Sequence, residues 1–410
     1  MFTHEQRPHD GSEAHPVIRT FNAPSAYVQG CGVLDSIGSY VDADGTSAVV
    51  LADETVFDLV GESLSTGLEA SGFTVDRIEF GGACTHAEVA RIAERAGDAD
   101  VVVGVGGGRA LDTAKAVRAE AGSRLVTVPT IASTDAPTSS ISVLYTEADE
   151  FDEFQFHGAN PDLVVVDTAV VAGAPTRHFR SGMADAMATW FEADTAVRAH
   201  ATNVFEGHST RTAHAIARTC YETVREHGRS AVAAVERDAV TESVEAVVEA
   251  NTLMSGIGFE SGGLAAAHSV HDGLTQVAET HGATHGEKVN LGTLTQFVLE
   301  GRETDELVDL IDFSLDVGLP VTLADVRLGD RPEVRLRRVV EADVRTLRDD
   351  SQRAVRGDAA GGQRRPRHGG RTRTRASRRA SLTSRFGYRF FKRTAPERDR
   401  RRLLTPASSR

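Results

Sequence analysis

Four of the fifteen histidines, His268, His271, His281 and His285, fall within 18 residues. The neighbouring stretch 264–270 is small and apolar, which places these rings on buried helix surface, where an imidazole needs a partner. A divalent metal is one of the best. His268 and His271 are three positions apart and His281 and His285 four, so each pair is expected to share one helix face. His281-Gly282 and His285-Gly286 read as turn signals and predict two helices joined by a short bend where the imidazoles converge. Two readings stand. The histidines are hydrogen-bonded core residues, or they join a carboxylate from elsewhere in a two-histidine, one-carboxylate set that leaves metal positions open for substrate.

Asp185 supplies a carboxylate of the right kind. It lies in SGMADAMATWFEA, at the expected start of the first long buried helix and beside the only tryptophan, Trp190. Among Met183, Ala184, Ala186 and Met187 an ionised carboxylate needs a partner. A metal is one; the positive end of the helix dipole is the other.

A second constellation precedes it. The apolar run 100–105 (DVVVGV) reads as a strand, followed at once by Gly106-Gly107-Gly108 and a helical stretch, residues 109–122. Strand, glycine bend and helix N-terminus make an anion site of backbone N–H groups, although GVGGGRALD is not GxGxxG. A tight βα turn with no ligand is the alternative. Asp53 ends the earlier run 47–52, where a carboxylate accepts the ribose hydroxyls of an adenosine and repels a 2′-phosphate, favouring NAD over NADP. It also fits as a helix N-cap. Residues 129–145 (PTIASTDAPTSSISVLY) are dense in hydroxyls, with Asp135 central. Such a loop lines the ligand crevice at the carboxyl ends of strands, or caps its own backbone.

The elements that must carry these residues alternate first. Strands are expected at 47–52, 73–80, 100–105, 125–128 and 163–166, and helices at 55–71, 86–97 and 109–122, with a hairpin over 147–160. That pattern is a parallel sheet with helices on both faces. After about residue 175 only helical stretches follow: 182–201, 210–227, 241–256, the histidine region and 303–317. The fold class is therefore an α/β N-terminal nucleotide-binding domain with a parallel sheet, residues 21–174, plus an all-α C-terminal metal-binding domain, residues 175–330. Residues 1–20 read as a disordered leader with no signal-peptide core. No apolar run reaches the roughly 18 residues of a membrane span, and three scattered cysteines, Cys31, Cys84 and Cys220, point to a reducing cytoplasm.

Charge divides the chain. Residues 1–330 carry 20 Lys+Arg against 51 Asp+Glu, a net of −31, with Lys115 and Lys288 the only lysines. A surface so acidic fits a high-salt, halophilic cytoplasm, where screening removes the self-repulsion. Residues 331–410 carry 25 Lys+Arg against 8 Asp+Glu, a net of +17. The switch is abrupt and reads as a reading-frame shift between roughly residues 325 and 338. The alternative is a basic arm for nucleic acid, but the tail has few aromatics and no folded nucleic-acid module, so nucleic acid is not an expected partner.

Five blocks in order and spacing, VGGGRALDTAK, PTIASTDAPTSS, SGMADAMATWFEA, AAAHSVHDGLT and HGATHGEKVNLGTL, resemble the glycerol dehydrogenases, which belong with the iron-containing alcohol dehydrogenases. The resemblance covers about residues 22–325. It implies the dehydroquinate synthase-like architecture, with a metal between an NAD domain and a helical domain, in a cytoplasmic homo-oligomer. It places the metal ligands on Asp185, His268 and His285, leaves His271 as a neighbour in the cleft, and puts polyol binding on Asp135; the departing proton leaves through water, with His271 the candidate relay. It places NAD contacts on Asp53, Gly107, Gly108, Thr130, Ser139 and Tyr145. Arg109 takes the usual lysine position near the phosphates, with altered geometry. Thr189 stands where iron-containing relatives carry a fourth ligand, a histidine, which favours a three-ligand Zn²⁺ site. The implied reaction is oxidation of glycerol to dihydroxyacetone. Two rivals share the fold, a glycerol-1-phosphate dehydrogenase and a dehydroquinate synthase-like lyase. Both want cations for phosphate, and the metal motifs are flanked only by Arg177, Arg180 and Lys288.

Overall fold

A computed structural model describes residues 17–42, 45–148 and 150–329. The basic tail, with its frame-shift and nucleic-acid readings, lies outside the described residues, as does most of the expected leader. Its last residues do not: Thr20 donates its hydroxyl to Asn203 Oδ1 at 2.8 Å, and Arg19 bridges to His208.

Strand β1 (Ala26–Gly30) precedes β2 (Ser47–Ala52), α1 (Glu54–Glu69), β3 (Thr74–Glu79), α2 (His86–Ala96), β4 (Val101–Gly106), α3 (Gly108–Ala121) and β5 (Arg124–Pro129). A hairpin of β6 (Ile141–Tyr145) and β7 (Phe151–Phe156) leads to β8 (Leu163–Asp167) and α4 (Thr168–Ala172). Six strands form one parallel sheet in the order β1-β8-β5-β4-β2-β3. The valine runs are explained by cover on both faces. Val101 and Val103 pack with Leu64 and Leu68 of α1, while Val102, pointing the other way, packs with Ile92 of α2 and Val117 of α3.

The sheet order reverses beside β2. From β2 the chain moves outward to β3, then returns to pair β4 on the other side of β2. A crevice opens outside the carboxyl ends of two strands at such a switch point, and here those ends are Asp53 and Gly106-Gly107.

The remaining elements are helical: α5 (Thr176–Arg198), α6 (Arg211–Val235), α7 (Glu242–Glu249), α8 (Ser255–Gly262), α9 (Ala266–Thr275), α10 (His285–Glu300) and α11 (Thr304–Asp316). A π-helical turn, Ala250–Met254, joins α7 to α8 without a break, so the helix expected to stop at 256 runs to Gly262. Met183, Val224, Val247, Phe297 and Phe313 share one core here.

Three further expectations are corrected. Helix α5 begins at Thr176, not 182, so Asp185 is mid-helix and the dipole explanation for it falls. Residues 141–145 are not loop but strand β6, paired antiparallel with β7. His281 and His285 do not share a helix. Thr284 caps α10 by accepting from Glu287 N, while the Glu287 side chain accepts from Thr284 N, a capping box that starts the helix at His285. His281 is left in the preceding turn, its Nε2 3.0 Å from Thr275 O.

Candidate metal centre and cofactor cleft

Three helices bring Asp185, His268 and His285 together, with one donor atom from each lying within 4.8 Å of the others. Asp185 belongs to α5 and is fully buried. Its Oδ1 is 3.0 Å from His285 Nε2 and 3.3 Å from His268 Nε2. Its other oxygen, Oδ2, is buried with no hydrogen-bond partner. Burial alone would raise the Asp185 carboxyl, but His285 and His268 outweigh it and hold it well below the usual range. An orphaned carboxylate oxygen and two imidazole nitrogens in one pocket are the donor set of a divalent cation; the residues present fit a metal.

Each ligand position has a local cause. His285 is the first residue of α10, and Gly286 lets that helix end press onto α5: a Cβ at Gly286 would meet Ser181 O at 1.8 Å. Gly286 N also donates to Ser181 Oγ, which donates to Ser133 O. His268 lies in the first turn of α9. Its Nδ1 is 2.5 Å from Glu192 Oε2, so Nε2 turns toward Asp185. Sequence reasoning misses Glu192, although it lies seven positions after Asp185, on the same face of α5.

His271, one turn after His268, packs at a tilt against His285 with ring centroids 4.2 Å apart, and its Nδ1 is 3.0 Å from Asp272 Oδ1. Burial and the charge of His285 push His271 down to about 4. Asp135 is held by Ser255 Oγ, which donates to Oδ2 at 3.3 Å. Burial, then the charge of Asp185, raise Asp135 well above the ordinary carboxylate range. Thr189 bonds Ser255 Oγ at 3.0 Å and donates to Asp185 O at 3.2 Å; its hydroxyl is turned into helix packing. His281 stays outside the cluster.

At the carboxyl end of β4, Gly107 is the N-cap of α3 and offers no side-chain cap to its first N–H groups. A Cβ at Gly107 would meet Ile131 at 3.1 Å, and one at Gly104 would meet Ala114 at 2.4 Å, so small residues hold this helix end against the sheet. Thr130 N donates to Gly106 O. The Arg109 guanidinium lies 4.6 Å over the Tyr145 ring. Asp53 caps α1 through Oδ1, accepting from Val56 N at 2.9 Å; the cap reading holds, and it also fixes the carboxylate at the switch point. Ser139 is buried, like Thr138 and Ser140 beside it, and its hydroxyl accepts from Lys115 Nζ at 3.0 Å. Lys115, also buried, donates to Ala136 O and Ile141 O and pairs with Asp112. It clamps the hydroxyl-rich loop to α3, a role its sequence position does not suggest.

Residues 24–168 match the iron-containing alcohol dehydrogenase family. The glycolaldehyde reductase of Halobacterium salinarum is 54% identical over 324 residues, 78% of this chain and 89% of its own length. The glycerol dehydrogenase of Pseudomonas putida is 45% identical over 325 residues, 79% and 89% of the two chains. The solved structure of a probable glycerol dehydrogenase from Sinorhizobium meliloti 1021 superposes with a TM-score of 0.75 at 42% identity, covering 80% of this chain and 90% of that one. With the parallel sheet, the helical region and the Asp185, His268 and His285 cluster in place, and relatives this similar over nearly four fifths of its length, the chain belongs to the iron-containing alcohol dehydrogenase family and is an oxidoreductase.

Proposed function

We propose that this chain is a Zn²⁺-dependent glycerol dehydrogenase that uses NAD⁺, converting glycerol to dihydroxyacetone with formation of NADH and release of one proton. The observation that carries the reading is the three-helix cluster of Asp185, His268 and His285 around an orphaned buried oxygen. A divalent cation held there supplies Lewis acidity that lowers the pKa of a substrate hydroxyl. Asp135, oriented by Ser255, offers its carboxyl to a second hydroxyl of the polyol. His271 donates Nδ1–H to Asp272, which leaves Nε2 as the acceptor for the proton that departs. On the cofactor side, Asp53 accepts the ribose hydroxyls, the uncapped N-terminus of α3 faces the phosphates, and Arg109 and Tyr145 flank them.

Two of the three cations that the phosphorylated-substrate rivals would use are engaged by carboxylates. Arg177 is bidentate to Glu287 at 2.7 and 2.6 Å, and Arg180 pairs with Glu236. A second reading, reduction of glycolaldehyde with NADH, is favoured by the 54% identity to the Halobacterium salinarum enzyme. It runs the same chemistry backwards on a smaller hydroxycarbonyl.

The test is NADH formation with glycerol and NADH consumption with glycolaldehyde and dihydroxyacetone, each at molar salt, before and after chelation. Activity lost on chelation and restored by Zn²⁺ is expected, and the ratio of kcat/KM values ranks the substrates. His268→Ala is expected to lose bound zinc and activity while keeping its fold. A chelated enzyme or a His268→Ala enzyme with full activity would exclude this centre. The acidic surface supports a high-salt setting, in which the melting temperature rises with salt; greatest stability in low salt would contradict it.

A further inference from the structure

We infer that Glu192 is the positioning residue of the metal centre, fixing at once the tautomer of His268 and the start of the helix that carries it. The inference rests on the metal reading above. Glu192 lies on α5 two turns after Asp185 and is fully buried. A buried carboxylate is costly unless every oxygen is engaged, and here both are. Oε1 accepts from two backbone groups, Ala265 N and His268 N, each at 3.0 Å. Oε2 faces His268 Nδ1 at 2.5 Å.

These contacts have separate consequences. Helix α9 opens on Ala265, which offers no side-chain cap, so its first N–H groups need acceptors from outside. Glu192 provides them from α5, and Gln296 Oε1 on α10 accepts from Ala267 N at 3.1 Å. The second consequence is chemical. A ligating imidazole must present a lone pair, and the hydrogen bond made by its far nitrogen decides which nitrogen that is. With Nδ1–H donated to Glu192, the lone pair sits on Nε2, the atom that faces Asp185. One side chain thus sets the position and the protonation pattern of one ligand without touching the metal or the substrate.

A helix cap and a tautomer lock respond differently to substitution. Glu192→Gln keeps the volume and a carbonyl oxygen for Ala265 N and His268 N. Its amide N–H₂ then meets Nδ1 and donates to it, which forces the imidazole proton onto Nε2. Glu192→Ala removes cap and lock together. Zinc affinity is read by competition with a chromogenic chelator, alongside the melting temperature of each metal-free protein. Glu192→Gln is expected to bind zinc about 10–100-fold more weakly than the parent with a metal-free melting temperature close to parental. Glu192→Ala is expected to fall in both. Glu192→Gln binding zinc within about threefold of the parent, well short of an outer-shell effect, would overturn the inference while leaving the metal reading intact. A parent that binds no zinc would overturn the metal reading, and this inference with it. Should Glu192→Gln fail to fold, the Nδ1 proton of His268 in the zinc-loaded parent decides: a resonance shifted far downfield by a bond to the Glu192 carboxylate supports the lock, and one at the position of a solvent-bonded imidazole N–H overturns it.

Discussion

The approach of α10 to α5 is the most demanding contact in the centre, and Gly286→Ala tests it. The new Cβ would sit 1.8 Å from Ser181 O, 2.6 Å from Ser181 C and 2.9 Å from Ser181 Cα. All three belong to the α5 main chain, so no rotamer change relieves the overlap. To reach 3.0 Å from Ser181 O the two helices must part by about 1.2 Å at this point. Overpacking of that size costs about 1–3 kcal/mol, a drop of several degrees in melting temperature for a chain of this length. The functional cost is larger. His285 precedes Gly286 and sits 3.0 Å from Asp185; a displacement of about 1 Å in a reacting assembly lowers turnover by roughly a hundredfold. The assay is kcat with glycerol at saturating NAD⁺ and zinc, with zinc affinity and melting temperature measured on the same preparation. Parental turnover and zinc affinity in Gly286→Ala would refute the argument that this contact sets the site.

Three further outcomes follow from contacts outside the ligand set. Arg109→Ala removes the guanidinium from the Tyr145 ring; a cation–π contact of about 0.5–1 kcal/mol predicts a KM for NAD⁺ raised about two- to fivefold, with kcat and zinc content unchanged, and an unchanged KM would rule the contact out of cofactor binding. Lys115→Met removes the ion pair to Asp112 and the hydrogen bonds to Ala136 O, Ser139 Oγ and Ile141 O. Urea unfolding should show a loss of about 3–5 kcal/mol, as for any broken buried ion pair, and a loss below about 1 kcal/mol would show that the clamp is idle. His157, bonded to Ser142 Oγ at 2.8 Å, is pushed from 6.5 down to about 4 by burial and then by Lys115. Because the folded state disfavours its charged form, it contributes stability above pH 6.5 that is lost as pH falls toward 4. His157→Gln should flatten the stability profile in that window; an unaltered slope would place the acid sensitivity elsewhere.

The legible parts of the sequence are those where one physical demand acts on consecutive residues. A strand covered on both faces must be apolar throughout, so SAVVLA and DVVVGV announce β2 and β4. Strand β1 (AYVQG) is short and half-buried at the sheet edge, and β7 (FDEFQF) carries two carboxylates, so neither reads as a buried run. Helix α5 starts earlier than its apolar stretch because its first turn is only partly buried, with Phe179 its first buried residue. The pairing of His281 with His285 rests on spacing alone and neglects Thr284 and Glu287, whose S/T-x-x-E pattern marks a helix start between them. The Lys115 clamp is out of reach for another reason. Its acceptors lie 21 to 26 residues away, and no local pattern links an ammonium to carbonyls brought near by the sheet.

One helix face accounts for most of the centre. Ser181, Asp185, Thr189 and Glu192 follow one another along α5 at spacings of four, four and three, and all are buried in a helix otherwise lined with Ala, Met and Phe. Each engages a different partner: Ser181 takes Gly286 of α10, Asp185 faces both imidazoles, Thr189 bonds Ser255 of α8, and Glu192 holds α9. Packing alone would fill these positions with apolar side chains, since each buried polar group costs free energy unless satisfied. Their repeat at helical period therefore marks α5 as the element on which three other helices are registered. The same stripe can be read directly from the order of residues in SGMADAMATWFEA. It follows that substitutions along it should be strongly non-additive, because Ser181 and Glu192 act through the same two histidines that Asp185 faces. In a double-mutant cycle, Ser181→Ala with Glu192→Gln should weaken zinc binding by less than the product of the single effects, and strictly multiplicative losses would show that the helices are placed independently.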